Sequence, residues 1–263
     1  MARSRIVGTS RDDTLSSDLS RVEIFGRGGD DLLFATGGYV VLDGGHGDDT
    51  LHATGAYATL YGGQGRDLLR AEGPFSLLDG GAGDDVLESV SASPFGGGSG
   101  NSLLGGEGND RLVVRGLDPG AGVDRGGFVV DADGGAGDDT LVMIGDWGLL
   151  ASGSRVDADV FVLNGLHNAI RDFDVDGGDG GADRLDLRGL TDADAALASL
   201  TLAELVAGRY LGVEVEALAG GLQQTRVWFD ADGRRGGPDP QTVVTLTGTV
   251  LGAGPGFEDH WIV

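Results

Sequence analysis

The chain has 263 residues, a net charge of −24 and 52 glycines, and only 6% of its residues are aromatic. This charge argues against nucleic acid and anionic membrane surfaces as partners, because both require a basic face. The glycine content argues against a thick conventional core, and the absence of cysteine excludes disulfides and thiolate metal sites.

The N-terminal residues show no targeting signal. No apolar stretch follows Met1–Arg5, and no run in the sequence reaches transmembrane length. We therefore expect no cleaved N-terminal signal and no membrane-spanning segment. Such a chain is either cytosolic or exported by a route that does not read the N-terminus.

Nine-residue repeats organise the first half of the chain. The perfect copies fit G-G-x-G-x-D-x-U-x, where U is a large apolar residue. They start at Gly44, Gly62, Gly80, Gly105 and Gly134. Weaker copies start at Gly8 and Gly26, so the starts from 8 to 80 are spaced by 18 residues. A fixed period of this kind predicts a solenoid in which two nonapeptides form one coil.

The residues of the repeat predict a cation site. Glycines at positions 1, 2 and 4 permit a tight turn with positive φ angles and bring backbone carbonyls close together. Asp at position 6 supplies a carboxylate oxygen, and the apolar position 8 marks a strand with one buried face. Turns stacked one coil apart would bracket several Ca2+ ions with carbonyl and carboxylate oxygens. The candidate metal-binding residues are Asp13, Asp31, Gly44, His46, Gly47, Asp49, Gly62, Gln64, Gly65, Asp67, Gly80, Ala82, Gly83, Asp85, Asp110 and Asp139.

Degenerate nonapeptides lie between the full repeats, over residues 35–43, 53–61 and 71–79. They keep glycine at position 3 and leucine at position 8 but lack the Asp, so we expect metal on one edge of the roll only. Position 5 accepts Arg66 as well as Asp, which indicates a solvent-facing position. The apolar residues predict one ladder in each of two sheets: Leu15, Leu33, Leu51, Leu69 and Leu87, and Ile24, Leu42, Leu60 and Leu78.

The period slips after Glu88. The next two repeats start at Gly105 and Gly134, later than the period requires, and we expect the added residues in surface loops. Residues 158–163 predict a degenerate last coil. An acidic stretch with Asp174, Asp176 and Asp179 is either a calcium loop unlike an EF-hand or a solvated acidic turn. Residues 191–208 predict one or two short helices, and strands are expected at 210–217, 225–229 and 242–250.

These features resemble the RTX (repeats-in-toxin) calcium-binding proteins, which bacteria export by type I secretion. The stretches AIRDFD at 169–174 and DRLDLRGL at 183–190 resemble the C-terminal target region of that family. The resemblance implies an all-β fold. Residues 1–145 would form a parallel β-roll (a right-handed β-helix) of stacked coils, each two nonapeptides long, and residues 146–263 the last coil and a β-rich cap. It also implies a secreted, extracellular protein with an uncleaved export signal near 257–263, recognised by the type I secretion transporter.

No enzymatic motif accompanies the repeats. The sequence contains neither H-E-x-x-H nor G-x-S-x-G, and its carboxylate pairs fall at repeat positions. We therefore expect a protein that is not an enzyme, with a structural or surface-binding role toward extracellular polysaccharide or a cell surface. The alternative is a secreted hydrolase or polysaccharide-modifying enzyme that uses carboxylates on the roll surface.

Overall fold

The structure is a computed structural model that describes residues 4–90, 100–115, 130–144, 149–153, 157–164, 168–171, 173, 182–188, 204, 211–217, 223–229, 241–247 and 261–262. Within these ranges nearly all residues lie in short β-strands or in the tight turns between them. No helix in the described ranges is both long enough and apolar enough to cross a membrane.

The described residues form 22 strands. In chain order they are β1 Ser4–Val7, β2 Thr14–Ser17, β3 Val22–Phe25, β4 Leu32–Ala35, β5 Val41–His46, β6 Thr50–Ala53, β7 Thr59–Gln64, β8 Leu68–Ala71, β9 Leu77–Ala82, β10 Val86–Val90, β11 Ser102–Glu107, β12 Arg111–Arg115, β13 Asp131–Ala136, β14 Thr140–Ile144, β15 Leu149–Gly153, β16 Val160–Asn164, β17 Asn168–Arg171, β18 Arg184–Asp186, β19 Leu211–Ala217, β20 Gln223–Phe229, β21 Gln241–Thr247 and β22 Trp261–Ile262.

Successive strands alternate between two sheets. Sheet 1 holds the odd-numbered strands β1 to β17, followed by β21, β20 and β19, and sheet 2 holds the even-numbered strands from β2 to β18, followed by β22. Neighbouring strands of the coils pair in parallel, so that each residue lies beside its equivalent in the next coil, as in Leu51 with Leu69 and Leu42 with Leu60. The predicted parallel β-roll is confirmed.

The core is a thin layer between the two sheets. Each strand is too short to bury more than two side chains on its inner face, so the core is built by stacking equivalent residues from coil to coil. Both predicted ladders are confirmed, and every member from Ile24 onward is fully buried. The ladders continue beyond the perfect repeats through Leu112, Leu141, Phe161 and Leu185 in sheet 2 and through Leu103, Ala132, Ile170 and Leu246 in sheet 1.

The core becomes thicker toward the C-terminal coils. A second buried row in sheet 2 consists of Ala35, Ala53 and Ala71 in the early coils. The same row is occupied by Val114, Met143 and Leu163 in the later ones. Larger side chains bury more apolar area per coil. The later coils therefore gain more stability from their interior.

The C-terminal strands extend both sheets. The three predicted strands are confirmed as β19, β20 and β21, which pair antiparallel with one another, while β21 pairs parallel with β17. In sheet 2, β22 pairs with β18. The predicted helical segment at 191–208 lies outside the described residues apart from Glu204. The added residues at 91–99 and 116–129, expected to form surface loops, also lie outside them.

Candidate metal centre

One edge of the roll is a row of turns in which each sheet 1 strand leads into the next sheet 2 strand. We call it the Asp edge; its defining residues are Asp31, Asp49, Asp67, Asp85, Asp110, Asp139 and Asp159. In the turn between β5 and β6, Gly45 and Gly47 have φ angles of +107° and +118°. Glycine adopts this left-handed region at little cost. All five perfect repeats have positive φ at positions 2 and 4, which confirms that part of the prediction.

The glycine at position 1 has a different purpose, and the prediction of a positive φ angle there is wrong. A Cβ atom at Gly62 would fall 2.5 Å from the carbonyl oxygen of Gly80 and closer still to Oδ2 of Asp67. A Cβ atom at Gly80 would fall 2.6 Å from the carbonyl oxygen of Gly105 and closer still to Oδ2 of Asp85. Glycine thus leaves a space where a carboxylate oxygen and a carbonyl oxygen converge.

The Asp side chains form a continuous ladder along this edge. The backbone N–H of Asp49 donates to Oδ1 of Asp67 at 2.7 Å, and the N–H of Asp67 donates to Oδ1 of Asp85 at 2.7 Å. The same bond joins every successive pair from Asp13 to Asp183, across separations of 18, 20, 24, 25 and 29 residues. The turns therefore keep their alignment while the number of residues per coil changes.

The second oxygen of these carboxylates is buried without a donor. Among the described residues, Oδ2 accepts no hydrogen bond in Asp31, Asp49, Asp67, Asp85, Asp110, Asp139 and Asp159. These seven residues are at most 2% exposed. A buried oxygen without a partner costs about 1–3 kcal/mol, and more when it is charged. A bound cation removes that cost, so the arrangement fits a divalent ion with a preference for oxygen ligands, such as Ca2+.

Without a cation, these carboxylates resist ionisation. Burial raises the pKa of Asp67 to about 6, that of Asp49, Asp85, Asp110 and Asp139 to about 7, and that of Asp159 to about 8. The N–H bond from the preceding Asp lowers each pKa, and neighbouring carboxylates raise it again, but desolvation is the largest cause. A divalent ion favours the charged form and would lower these pKa values.

Positions 3 and 4 of the repeat join neighbouring coils through backbone hydrogen bonds. The N–H of Gly47 donates to the carbonyl oxygen of Gln64, and that of Gly65 to the carbonyl oxygen of Ala82, both at 2.9 Å. The side chain of His46 is exposed, with Nδ1 2.9 Å from Oε1 of Gln64. Among the described residues, no group of three or more His, Cys, Asp or Glu side chains is arranged to hold a metal. The ligand roles of positions 1, 3 and 4 stay predictions.

The first copy of the repeat differs from the others. Oδ2 of Asp13 accepts hydrogen bonds from the backbone N–H of Thr9 at 2.6 Å and from the Thr9 hydroxyl at 2.9 Å. Asp13 is also only partly buried. Since its carboxylate already has donors, Asp13 has less need of a cation than the buried aspartates that follow. Among the predicted ligands at position 6, it is the one that the geometry supports least.

Two members of the ladder are missing from the ligands predicted from the sequence. Asp159 and Asp183 continue the hydrogen-bonded row beyond Asp139. Each is followed two positions later by a buried apolar residue, Phe161 or Leu185. This Asp-x-apolar remnant is the signal that could have identified them; the flanking glycines are absent before Asp159, whereas Gly178, Gly180 and Gly181 precede Asp183. The predicted ligands Asp174, Asp176 and Asp179 lie outside the described residues.

Position 5 is solvent-facing, as predicted, but it also has a structural role. Oδ1 of Asp48 accepts the N–H of Arg66, and Oδ1 of Asp84 accepts the N–H of Asn109, both at 2.9 Å. At position 5 the side chain accepts from the coil that follows, whereas at position 6 it accepts from the coil before. The two rows together tie each turn to both of its neighbours.

The opposite edge replaces carboxylates with neutral residues. We call it the aromatic edge, and its turns carry Arg21, Tyr39, Tyr57 and Phe75. The place of the repeat Asp is taken by Val22, Val40 and Ala58, each at most 1% exposed. In later coils the N–H of Ser76 donates to Oδ1 of Asn101 at 2.8 Å. A neutral amide thus makes the same coil-to-coil bond that Asp makes on the other edge.

A comparison with family models matches residues 25–56, 61–89 and 95–114 to the RTX calcium-binding nonapeptide repeat (4 copies). These repeats bind Ca2+, so both the predicted repeat and the predicted ion are confirmed. The match includes the turns from Asp31 to Asp110 and ends before Asp139 and Asp159. No match was found among the curated proteins or among the solved structures.

Proposed function

We propose that this chain, whose residues 25–114 carry RTX calcium-binding repeats, is a secreted protein whose β-roll folds when Ca2+ fills the Asp edge. The observation that supports this best is the row of seven buried Oδ2 atoms without donors in the described part of the chain. A positive charge at each of these oxygens removes a penalty that the metal-free roll carries in the seven coils concerned.

The same row makes folding dependent on the calcium concentration. The net charge of −24 opposes a compact state as long as cations are scarce. In each Asp, Oδ1 accepts a hydrogen bond from the preceding coil, while Oδ2 is available to an ion. Each Asp therefore couples an ion site to the neighbouring coil. Filling one site therefore orders the turn that contains the next, and we expect cooperative folding over a narrow range of Ca2+.

The calcium switch suits export by a type I transporter, which we propose as the partner during secretion. A chain that stays loose where Ca2+ is scarce can be threaded through the transporter, and it then folds outside the cell. We place the address in the C-terminal region. Deleting the residues after Gly252 should keep the protein inside the cell, while the purified deletion variant should still fold with Ca2+. Secretion of the deletion variant would contradict the address.

The decisive experiment compares two neighbouring aspartates with the same substitution. Asp85→Asn keeps an acceptor for the N–H of Asp67 but removes the negative charge of the carboxylate whose Oδ2 has no donor. Asp84→Asn keeps the acceptor for the N–H of Asn109 and lies on the exposed position 5. We expect circular dichroism and calorimetry during Ca2+ titration to show fewer bound ions and a higher midpoint for Asp85→Asn only. A wild-type roll that folds fully without Ca2+ at pH 8 would refute the proposal.

Outside the cell we propose a structural or surface-binding role. The roll presents long, regular faces whose exposed residues repeat once per coil, which suits contact with an extended polymer such as an extracellular polysaccharide. Pull-down of the calcium-loaded protein with insoluble polysaccharides and with whole cells tests this role. Retention that disappears with a calcium chelator is the expected result.

One observation favours the alternative of a secreted hydrolase. On the outer face of sheet 1, Tyr61 pairs in register with Asp43 on one side and Asp79 on the other. Tyr61 is 39% exposed, and burial raises the pKa of both carboxyl groups. Neither Asp belongs to the nonapeptide pattern. If this row is catalytic, the calcium-loaded protein should release reducing ends from a polysaccharide panel, and Asp79→Asn should abolish the release.

A further inference from the structure

The aromatic edge carries a continuous stack of side chains. The rings of Tyr39 and Tyr57 lie 4.6 Å apart at an interplanar angle of 2°, and those of Tyr57 and Phe75 lie 5.0 Å apart at 17°. Each ring comes from a different coil and occupies the same place in it. The stack therefore connects three successive coils by direct contact between side chains.

Both ends of the stack are closed. At one end, Cζ of Arg21 lies 5.6 Å from the centre of the Tyr39 ring, within cation–π range. At the other end, a Cβ atom at Gly100 would fall 2.9 Å from Cδ1 of Phe75, so only glycine lets the backbone lie this close to the ring. The ring faces are thus covered, although the three aromatic side chains are 44–49% exposed. A covered face is poorly suited to binding a sugar or another planar ligand.

The backbone beneath the stack is in a conformation that disfavours these residues. Arg21, Tyr39, Tyr57 and Phe75 have φ angles of 62°, 59°, 60° and 60°, in the left-handed region that suits glycine. Gly100, the next residue in the row, has a φ of 56°. Side chains that repeatedly occupy a strained position persist only where their surroundings compensate. Here the compensation available to each ring is contact with the residue one coil away.

We propose that this stack is a calcium-independent clamp, which holds the coils from Arg21 to Phe75 in register along the aromatic edge before any ion binds. The proposal rests on the calcium-triggered folding described above and adds where that folding begins. The Asp edge cannot supply this order without a cation, because seven of its described aspartates bury an Oδ2 atom that has no donor. The aromatic edge carries no such buried acceptor in the turns that place Val22, Val40 and Ala58 at the equivalent position.

Hydrogen exchange of the full chain without Ca2+ tests the clamp directly. The N–H groups of Tyr39 and Tyr57 donate to the coil that follows at 2.9 Å, as do those of Gly47 and Gly65 on the Asp edge. These four bonds have the same length, so they form a matched comparison. We expect protection of at least about tenfold at Tyr39 and Tyr57 relative to the two glycines. Equal, fast exchange at all four overturns the clamp but leaves the calcium switch intact.

Substitutions at the middle ring separate stacking from strain. Tyr57→Gly removes the ring and also relieves the strained φ angle, so it should stabilise the roll if the ring does nothing. The clamp instead predicts lost protection at Tyr39 and a rise of about three- to tenfold in the Ca2+ midpoint. Tyr57→Phe should match the wild type. An unchanged or lower midpoint for Tyr57→Gly overturns the proposal.

Two further comparisons keep the outcomes apart. Tyr61→Ala removes an aromatic ring of similar exposure that lies outside the stack, and it should leave the protection of Tyr39 unchanged. If Tyr61→Ala lowers that protection as much as Tyr57→Gly does, the effect is not specific to stacking and the clamp is refuted. Strong protection of both edges in the wild type without Ca2+ would instead contradict the calcium switch.

Discussion

The two edges of the roll solve the same problem with opposite chemistry. Both must join a sheet strand to the next one in a tight turn and stack that turn on its neighbours. The Asp edge does so with buried carboxylates whose Oδ2 atoms have no donor, such as Asp49 and Asp67. The aromatic edge uses buried apolar residues such as Val40, below stacked rings such as Tyr39. One edge has buried oxygens that fit a ligand from solution, and in the other the described turns carry apolar residues at the same position.

This difference shows how a regular fold can be made conditional. If both edges carried carboxylates, the metal-free chain would lack any local order, and if both were apolar, the roll would fold without calcium. Under the proposed calcium switch, placing the dependence on one edge leaves each coil half-stabilised until ions bind. Changes of pH and substitutions on either edge test this asymmetry.

The largest effect should come from changing pH in the metal-free protein, because many carboxylates titrate together. Unfolded Asp titrates at about 3.9, whereas burial raises the pKa of Asp49, Asp85 and Asp139 to about 7. Between these values the folded roll binds more protons than the unfolded chain, so its free energy of unfolding should fall as pH rises. Circular dichroism without Ca2+ should show more β-structure at pH 5 than at pH 8.

Saturating Ca2+ should remove this dependence. Protons compete with the ion for the same oxygens, so the affinity of the folded roll for Ca2+, measured by isothermal titration calorimetry, should increase as pH rises from 5 to 8. Sedimentation must accompany the measurement, since the isoelectric point of about 4.2 favours association in acid. A metal-free roll that gains stability from pH 5 to pH 8 would contradict the assignment of these carboxylates.

Next in size is Asp67→Ala, which removes an acceptor for the N–H of Asp49 together with a candidate ligand. We expect a loss of about 3 kcal/mol in the free energy of unfolding at saturating Ca2+, measured by urea denaturation. Asn101→Ala removes the equivalent acceptor on the aromatic edge, where Ser76 is the donor, together with the bond that Nδ2 of Asn101 donates to Oγ of Ser89. Its cost should be about 2 kcal/mol and the same at every Ca2+ concentration. A calcium-dependent cost for Asn101→Ala would break the comparison.

Adding one methyl group should also distinguish the edges. At Gly62 a Cβ atom would collide with the Gly80 carbonyl and occupy the space beside Oδ2 of Asp67, so Gly62→Ala should cost about 2 kcal/mol and weaken Ca2+ binding. At Gly38 on the aromatic edge the nearest atom is the Ala56 carbonyl oxygen at 3.2 Å. Gly38→Ala should change neither stability nor Ca2+ affinity appreciably. Isothermal titration of both variants measures the difference, and equal losses would refute it.

The smallest effect is expected from Asp48→Ala, at the exposed neighbour of Asp49. Hydrogen bonds from Arg66, above all the one from its backbone N–H, lower the pKa of Asp48. The contribution of Asp48 to the free energy of unfolding should therefore be lost as pH falls, whereas that of Asp49 should be lost as pH rises. The substitution removes one bond at 2.9 Å and an exposed ion pair at 3.2 Å. Thermal unfolding at neutral pH should show a clearly smaller loss than Asp67→Ala, with unchanged Ca2+ stoichiometry.

Features that repeat along the chain could be predicted from the sequence. The constant repeat period places Leu51 above Leu69 without knowledge of any other contact, and the Asp of each full repeat follows by the same rule. The exceptions lie where the repeat weakens. Asp159 is not among the candidate ligands predicted from the sequence because its turn lacks glycines, although the ladder reaches it through an ordinary hydrogen bond from Asp139.

Interactions between coils could not be predicted in the same way. The glycine at position 1 looks like any other turn glycine in the sequence, and only the coordinates show that it makes room for two oxygens from different parts of the chain. The period places Tyr39 and Tyr57 in equivalent turns, but only the structure shows that their rings stack face to face. The carbonyl oxygen beside each position 1 glycine and the partner of each ring lie a full coil away along the chain, outside any local window.

The spacing of glycine, aspartate and leucine by itself determined that this chain forms a calcium-binding roll with two unlike edges. The tertiary structure decided which atoms meet: the carboxylate oxygen that bonds a neighbouring coil, the oxygen left without a donor, and the rings that stack. The physical reason is that period and polarity are local properties of the chain, whereas hydrogen bonding and stacking between coils depend on distances set only when the coils are assembled. Steps of 18 to 29 residues therefore produce one unbroken ladder from Asp13 to Asp183.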